Sequence, residues 1–245
     1  MSELVIEIQG LRHYLGNQWI HTNVNLTVNK GEILGIIGGS GSGKTTIMHS
    51  MLMLMKPTAG LIKIFGQDVN TMSSMEAIKI RQRWGMMFQH SALFSALTVI
   101  ENIMFPMKEF TTFNKTFLRE LAMLKINLVG LPKDAADKFP AELSGGMQRR
   151  AAAARAIAMD PEILFLDEPT TGLDYRSARQ LDELIMFLHD ALQLTVVMIT
   201  HDIKSMRSIT DRVAFVGDGR IIDIAPIAQL MQNTTQWIAE YFAEI

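Results

Sequence analysis

The chain has 245 residues, with 23 basic and 25 acidic side chains, no cysteine and 48% hydrophobic residues. This composition is typical of a folded globular protein and argues against a disordered chain, while the length allows one large domain or two small ones. The lack of cysteine excludes disulfides, thiolate zinc sites and cysteine nucleophiles. The net charge of -2 argues against a protein that neutralises many nucleic-acid phosphates, although it is compatible with a local basic patch.

No apolar run approaches the roughly 18 residues that a membrane-spanning helix needs. The first residues, MSELVIEIQG, lack the basic start and the continuous apolar stretch of a secretory signal. We therefore expect the protein to remain in the cytoplasm.

The first part of the chain has the pattern of a sheet. Alternating apolar residues predict strands at 4–8 and 20–28, and a continuous apolar run at 32–37 predicts a fully buried strand. A glycine-rich segment follows this run, and a helix is predicted at 47–55 after it. Further elements are predicted as a strand at 61–65, a helix at 73–82 and a strand end at 85–89.

The pattern changes near residue 90. Helical spacing predicts helices at 98–107, 116–128 and 144–159, with no convincing strand between them. Strand patterns return at 163–166, 195–199, 212–216 and 221–224, alternating with helices near 175–192 and 202–208. The chain therefore reads as an α/β sheet domain that carries an inserted helical segment.

Residues 38–45 match the phosphate-binding pattern G-x-x-x-x-G-K-[ST] between a buried strand and a helix, which is the context that this pattern requires. In such a loop backbone N–H groups surround the phosphates, Lys44 reaches the β- and γ-phosphates, and the Thr45 hydroxyl can ligate Mg²⁺. The predicted nucleotide-binding residues of this loop are Gly38, Gly39, Ser40, Gly41, Ser42, Gly43, Lys44, Thr45 and Thr46.

Two adjacent carboxylates, Asp167 and Glu168, follow the apolar strand at 163–166. At the carboxyl edge of a parallel sheet, Asp167 would lie beside the phosphate loop and hold Mg²⁺ directly or through water. Glu168 would point elsewhere and could polarise an attacking water. A solvated acidic turn is the alternative, and the phosphate loop argues against it.

The segment LSGGMQ, residues 143–148, precedes an alanine-rich helix. Ser144 is a natural N-cap there, and Gly145 and Gly146 leave backbone N–H groups open to an anion. The chain thus offers a second helix end to phosphate. Because a phosphate loop already surrounds its own phosphates, we expect this second end to serve a nucleotide held by another copy.

These segments resemble the Walker A, Walker B and signature motifs of the ATP-binding cassette (ABC) ATPases, with similarity over essentially the whole chain. The resemblance implies one α/β P-loop NTPase domain over 1–245. It comprises a RecA-like core with an N-terminal antiparallel β subdomain, formed by 1–89 and 160–245, and an inserted helical subdomain at 90–159. Met147 replaces the final glutamine of LSGGQ. This replacement leaves the anion contacts of Ser144 and the glycine backbone in place.

The resemblance also implies roles for single residues. Gln89 resembles the Q-loop glutamine that touches Mg²⁺ and couples to the membrane partner. Asp174 lies in a segment similar to the D-loop, and His201 resembles the switch histidine that contacts the γ-phosphate. Tyr14 occupies the place of the aromatic that stacks on adenine, with packing at a strand end as the alternative. The catalytic residues implied in this way are Glu168, His201, Lys44 and Gln89.

The implied activity is ATP hydrolysis with ATP and Mg²⁺ by a head-to-tail pair of two copies. Each ATP would lie between one copy's phosphate loop and Ser144, Gly145 and Gly146 of the other. Closing and opening of this pair would drive transmembrane permease subunits.

Residues 85–106 resemble the Q-loop region of the ATPases of Mla-type phospholipid transporters, which contain MCE proteins, and LSGGM is similar to their signature. This resemblance implies phospholipid transport between inner and outer membranes, with a permease, an MCE-type substrate-binding protein and, in some members, a STAS-domain protein. It implies a peripheral location on the cytoplasmic face of the inner membrane.

ATPases of amino-acid import and lipoprotein release share most of the same segment and stay as alternatives. A soluble ABC ATPase acting on nucleic acid is the remote alternative. That class predicts a long coiled-coil insert, a second cassette or a strong basic face, which the sequence does not show, so we expect no nucleic-acid partner.

Two groups of apolar residues suggest contact surfaces. Among 18 methionines, four lie around the Q-loop and the helical insert, where flexible thioethers suit an adaptable groove for the permease; they are Met86, Met87, Met104 and Met107. Near the C-terminus, Trp237, Tyr241 and Phe242 have helical spacing. We expect these aromatics to pack on their own domain, with a dimer or partner contact as the alternative.

Overall fold

The computed structural model describes residues 3–89 and 91–243. The strands are β1 (Leu4–Leu15), β2 (Gln18–Asn29), β3 (Ile33–Gly38), β4 (Ala59–Ile64), β5 (Gln67–Asp68), β6 (Trp84–Met87), β7 (Ile163–Asp167), β8 (Thr195–Ile199), β9 (Arg212–Gly217) and β10 (Arg220–Ala225). The helices are α1 (Lys44–Met51), α2 (Ser74–Arg81), α3 (Val99–Phe110), α4 (Lys115–Leu128), α5 (Gly145–Ala156), α6 (Tyr175–Leu192), α7 (Ile203–Ile209), α8 (Ile227–Leu230) and α9 (Gln236–Ala243).

The chain divides into two compact units: unit 1 comprises Met1–Arg81 and Thr195–Ile245, and unit 2 comprises Gln82–Leu194. Within the described residues, no helix combines the length and apolar character that crossing a membrane requires. The predicted subdomain boundaries at 90 and 159 stay a prediction.

Unit 1 contains a mixed sheet in the strand order β5-β4-β1-β2-β10-β9-β3-β8. Strand β1 pairs antiparallel with β2 and β4, whereas β3 pairs parallel with β8 and β9. Every residue of β3 is buried, as its continuous apolar sequence predicts. Gly35 lies at its centre, where a side chain would collide with Met206 of α7. Helix α7 therefore packs directly against β3, the strand that leads into the glycine-rich loop.

Unit 2 contains the parallel pair β6 and β7 together with helices α3 to α6. A side chain at Gly85 of β6 would collide with the Ala156 carbonyl at the end of α5, so this helix packs directly on the strand. Helix α3 begins with a capping box in which the Glu101 carboxylate accepts from the Thr98 N–H at 2.9 Å.

Most predicted elements match the structure, with differences at their ends. The strands predicted at 4–8 and 20–28 extend to 12 residues each as β1 and β2. The helix predicted at 47–55 begins at Lys44 and ends at Met51. The short elements β5 and α8 were not predicted, because two to four residues give no measurable periodicity.

The prediction that methionines near the Q-loop line a docking groove is wrong for three of the four. Met87, Met104 and Met107 are only 1–2% exposed, and Met86 is half-buried. The apolar face of α3 turns into the core of unit 2, so these thioethers fill the interior of the unit. Flexible, unbranched side chains suit such irregular packing.

The C-terminal aromatics pack on their own unit. Ile238 of α9 is fully buried, and the Tyr241 ring meets the Phe215 ring of β9 edge-on at 5.3 Å. This contact confirms the prediction of packing within the domain. Trp237 remains 49% exposed.

Candidate nucleotide-binding site

The phosphate loop, residues 38–45, lies in unit 1 between β3 and α1. Gly41 and Gly43 have φ angles of 75° and 90°, which are strained for residues with a side chain. Lys44 folds back over the loop, where its Nζ donates to the carbonyls of Gly38 and Gly39 at 2.9 Å. The backbone itself therefore requires the motif glycine at position 43, and it requires Gly41 in the same way although the motif leaves that position open.

The first turn of α1 is suited to an anion. Gly43 is the N-cap and brings no capping side chain, and the first turn contains no acidic residue. The N–H groups at this helix end therefore have no capping side chain that would compete with an anion for their hydrogen bonds. The first turn also has no carboxylate that would repel an anion. Thr45 is exposed in the same turn.

An open cavity of about 430 Å³ runs along this loop and the turn between β1 and β2. It is lined by Leu15, Gly16, Gln18, Ile20, Gly41, Gly43, Lys44, Thr45 and Thr46. This concave surface, with backbone N–H groups and one lysine at its base, has the chemistry of a nucleotide phosphate site.

Tyr14 directly precedes Leu15, which lines this cavity. Its backbone N–H donates to Thr58 Oγ1 at 2.9 Å, and its ring meets the Trp19 ring edge-on at 5.2 Å. Both rings are about half exposed, at 46% and 51%. No sequence motif marks Trp19, which the hairpin turn at Gly16 and Asn17 brings opposite Tyr14.

His201 lies at the carboxyl end of β8, in the same unit as the phosphate loop. It is exposed, and the next residue, Asp202, caps α7 by accepting from the N–H groups of Lys204 and Ser205 at 2.9 and 3.2 Å. The cap fixes the backbone that carries His201.

The acidic pair lies in unit 2, at the end of β7. Asp167 is the last residue of the strand, and Glu168 adopts a left-handed backbone with φ 49°. Thr171 Oγ1 donates to Glu168 Oε2 at 2.8 Å. The strand end and this hydrogen bond together hold the Glu168 carboxylate in place.

The signature segment, residues 143–148, leads into the first turn of α5, and Ser144 and Gly145 are exposed there. Ser144 is the N-cap, and its Oγ accepts from the Met147 N–H at 3.3 Å. Gln148 Nε2 donates to the carbonyls of Pro140 and Leu143 at 3.0 and 3.3 Å. These hydrogen bonds fix the segment as a helix N-terminus of the kind that binds anions.

Two arginines of α5, which the sequence analysis missed, hold the segment around Gln89. Arg149 is 6% exposed and donates to the carbonyls of Phe88, Gln89 and Thr171, the last at 2.8 Å. Arg155 donates to the carbonyls of Ser91 and Ala92 at 2.9 and 2.7 Å. The sequence does contain a signal for these two arginines, because they are among the few charged residues on a helix that is otherwise rich in alanine.

Asp174 caps α6. Its carboxylate accepts from the Ser177 hydroxyl at 2.6 Å and from the Ser177 N–H at 3.0 Å. These hydrogen bonds lower the pKa of Asp174 below its usual value.

The predicted residues therefore fall into two sets. Unit 1 contains Tyr14, the phosphate loop through Thr46, and His201. Unit 2 carries Gln89, Ser144, Gly145, Gly146, Asp167, Glu168 and Asp174.

A family model described as ABC transporter matches residues 21–171. The chain is 38% identical over 241 residues to the intermembrane phospholipid transport system ATP-binding protein MlaF of Haemophilus influenzae, covering 98% of this chain and 91% of that protein. It is 40% identical over 222 residues to the methionine import ATP-binding protein MetN of Lacticaseibacillus paracasei. This match covers 91% of this chain and 63% of MetN, so the chain spans less than two thirds of that relative.

The similar solved structures are also described as ABC proteins. A dimeric, post-hydrolysis structure of the ATP-binding cassette MJ0796 bound to ADP and Pi is 31% identical, with a TM-score of 0.81, and covers 91% of this chain and 98% of that chain. The cbiO1 protein of Clostridium perfringens, part of the ABC transporter complex cbiONQ, is 26% identical, with a TM-score of 0.85, over 95% of this chain and 92% of that chain.

Proposed function

We propose that this chain, which belongs to the ABC transporter family as an ATP-binding and ATP-hydrolysing subunit, powers phospholipid transport through an Mla-type permease complex. ABC cassettes work as dimers with transmembrane permeases. For this chain we infer a permease with an MCE-type substrate-binding protein, a STAS-domain protein as a further subunit, and a peripheral position on the cytoplasmic face of the inner membrane.

The observation that carries this proposal is the match to MlaF, which extends over 98% of this chain and 91% of that protein. The segment 85–106 and the variant signature with Met147 support it.

In the proposed reaction, the phosphate loop and Lys44 bind the phosphates of ATP, and Tyr14 stacks on the adenine. Glu168 orients the attacking water, and His201 contacts the γ-phosphate. Ser144, Gly145 and Gly146 receive the γ-phosphate of a nucleotide held by the second copy. The Asp174 segment belongs to the dimer contact.

Mg²⁺ suits the donor set that we propose for it. The Thr45 hydroxyl, the Gln89 amide oxygen and the Asp167 carboxylate are all oxygen donors, the type that Mg²⁺ prefers. Thr45 is exposed, and Asp167 and Gln89 are half-buried, so none is locked inside the core. Held by these residues, Mg²⁺ would supply a positive charge that offsets the negative charge developing on the phosphates.

The test is purification of the chain from its own membranes in a mild detergent, followed by identification of the co-purified proteins and lipids by mass spectrometry. We expect a permease, an MCE protein and bound phospholipid. A permease that co-purifies with an amino-acid-binding protein would overturn the lipid proposal. The Glu168→Gln variant, loaded with ATP, serves to stabilise the assembly.

Methionine import is the second candidate, because the 40% identity to MetN is similar to the identity to MlaF. The two candidates differ in what stimulates hydrolysis. The complex in proteoliposomes would respond to L-methionine and its binding protein if the chain were an importer subunit, and to phospholipid if our proposal is correct.

A further inference from the structure

Two buried histidines lie directly behind the phosphate loop. His13 of β1 and His21 of β2 are opposite each other in the antiparallel pairing and are 1% and 0% exposed. Their rings are edge-on, with centroids 5.1 Å apart. None of the roles inferred from the sequence uses them.

The histidines form a continuous hydrogen-bond chain that we call the histidine relay: Ser50, His13, His21 and the Ser42 carbonyl. Ser50 Oγ lies 2.8 Å from His13 Nε2, the two Nδ1 atoms are 2.9 Å apart, and His21 Nε2 lies 3.2 Å from the Ser42 carbonyl. Ser50 belongs to α1, and Ser42 to the phosphate loop. The relay thus joins the loop to the helix that follows it.

The chemistry of the acceptors fixes the direction of every bond. A carbonyl only accepts, so His21 carries its proton on Nε2 and its Nδ1 is an acceptor. His13 must then carry its proton on Nδ1, which leaves its Nε2 to accept from the Ser50 hydroxyl. One arrangement of neutral tautomers therefore satisfies all three contacts.

Burial supports neutral rings. It lowers the pKa of His13 to about 4, with a further contribution from His21, and it also lowers the pKa of His21. Both imidazoles are thus uncharged near neutral pH, as the arrangement of tautomers requires.

The last link of the relay controls a peptide group of the phosphate loop. In a trans peptide the C=O and N–H point in opposite directions, so a Ser42 carbonyl held inward by His21 directs the Gly43 N–H outward. Gly43 lines the cavity along the loop. A side chain at position 43 would also collide with the His21 ring, so the ring fits against this peptide group closely.

We propose that His21, oriented by His13 and Ser50, is a positioning residue that holds the Ser42–Gly43 peptide with its N–H directed at the nucleotide phosphates. Glycines at 41 and 43 leave this loop free to rotate its peptide groups. The His21 hydrogen bond removes that freedom before ATP binds, and pre-organisation of this kind raises affinity. The inference rests on ATP binding at the loop and is independent of the transported substrate.

The first test is spectroscopic and uses the unmodified full-length protein. With ¹⁵N-labelled histidine at pH 7.5, the ring nitrogen shifts should show His13 as the Nδ1–H tautomer and His21 as the Nε2–H tautomer. Single His13→Gln and His21→Gln variants assign the signals. A charged ring, or the opposite tautomer at either position, would overturn the relay.

The second test separates the hydrogen bond from ring packing. His21→Phe keeps a ring of similar size and loses the donor, whereas His21→Gln keeps an N–H at a similar position. For variants that melt at the wild-type temperature, we expect His21→Phe to weaken ATP binding about tenfold, which is equivalent to about 1.4 kcal/mol. His21→Gln should keep most of the wild-type affinity for ATP. Equal affinity in the wild type and His21→Phe would overturn the proposal.

A matched control guards against misfolding. His189→Phe changes a histidine on α6 of unit 2 that takes no part in the relay, and it should leave ATP affinity unchanged. If His21→Phe fails to fold, the tautomer measurement on the wild type still tests the hydrogen bonds on which the proposal depends, and His21→Gln still tests the effect on ATP affinity.

Discussion

At the scale of single residues, Glu168 combines a left-handed backbone with a fixed carboxylate. A residue with a side chain at φ 49° is under strain, and such outliers concentrate at functional sites. The hydrogen bond from Thr171 Oγ1 at 2.8 Å constrains the carboxylate further. Both observations support the proposed role in orienting water.

We therefore predict that Glu168→Gln lowers ATP hydrolysis by about 10² to 10⁴ fold, because an amide cannot act as the general base. ATP binding should persist, and an ATP-bound dimer should accumulate on size-exclusion chromatography with light scattering. The exposed Glu183→Gln on α6 is the matched control and should hydrolyse ATP normally. Unchanged hydrolysis in Glu168→Gln would remove this residue from its role.

The buried histidine pair makes stability depend on pH. The pKa of His13 is about 4 in the folded chain, against about 6.5 for an unperturbed histidine. Between these values the unfolded chain binds a proton that the folded chain does not. The free energy of unfolding should therefore fall as the pH drops from 6.5 towards 4, and His13 adds no slope above that window.

In this pH range one histidine should change the free energy of unfolding by up to about 1.4 kcal/mol per pH unit. Urea unfolding at pH 7.5, 6.0 and 5.0 measures it, and a His13→Asn variant should show a shallower dependence because one titrating group is absent. An identical slope in the wild type and His13→Asn would contradict the prediction. Acidic groups elsewhere cancel in this comparison.

At the scale of elements, α5 serves two purposes. Its N-terminus forms the signature segment, and its buried face holds the backbone around Gln89 through Arg149 and Arg155. The β6 strand contacts the end of the same helix at Gly85. Helix α5 therefore links the signature segment to the Gln89 segment within unit 2.

We predict that Arg149→Met lowers the free energy of unfolding by about 2 to 3 kcal/mol, since it leaves the carbonyls of Gln89 and Thr171 without their charged donor. The substitution keeps an apolar stem, so packing is retained better than with alanine. Urea denaturation measures the change. Arg176→Met, at an exposed position of α6, should change stability by less than about 0.5 kcal/mol. Equal stability of both variants would contradict the importance of the buried contacts.

Elements with a clear hydrophobic period could be predicted from the sequence, whereas the positions of their ends were predicted less accurately. The buried strand β3 and the long helix α6 match the sequence prediction almost residue for residue. The start of α1 was placed three residues late, because Lys44, Thr45 and Thr46 have no apolar periodicity and are helical only through the loop that precedes them.

At the scale of the whole molecule, the proposed dimer makes each ATP site from two copies. Lys44→Ala should abolish ATP binding at the phosphate loop, and Ser144→Arg should block the signature segment of the other copy by its bulk. Each variant alone should therefore be inactive. A dimer that contains one of each retains one intact pair of loop and signature segment.

We predict that mixing Lys44→Ala and Ser144→Arg restores ATP hydrolysis that neither variant shows alone. A steady-state phosphate-release assay over a range of mixing ratios measures it. The activity should peak near equal amounts, and Lys56→Ala, at an exposed lysine, should behave as the wild type. If hydrolysis were complete within one copy, Lys44→Ala would stay inactive and Ser144→Arg would already be active alone.

The sequence alone determined the fold class, the family and the candidate residues, because phosphate binding and strand burial impose local requirements of spacing and residue type. Gly41 and Gly43 are examples, since only glycine suits their backbone. The tertiary structure alone decided the contacts between distant segments. The hold of Arg149 on the Gln89 carbonyl and the hydrogen bond between His13 and Ser50 join residues far apart in the sequence, and no local pattern encodes such neighbours.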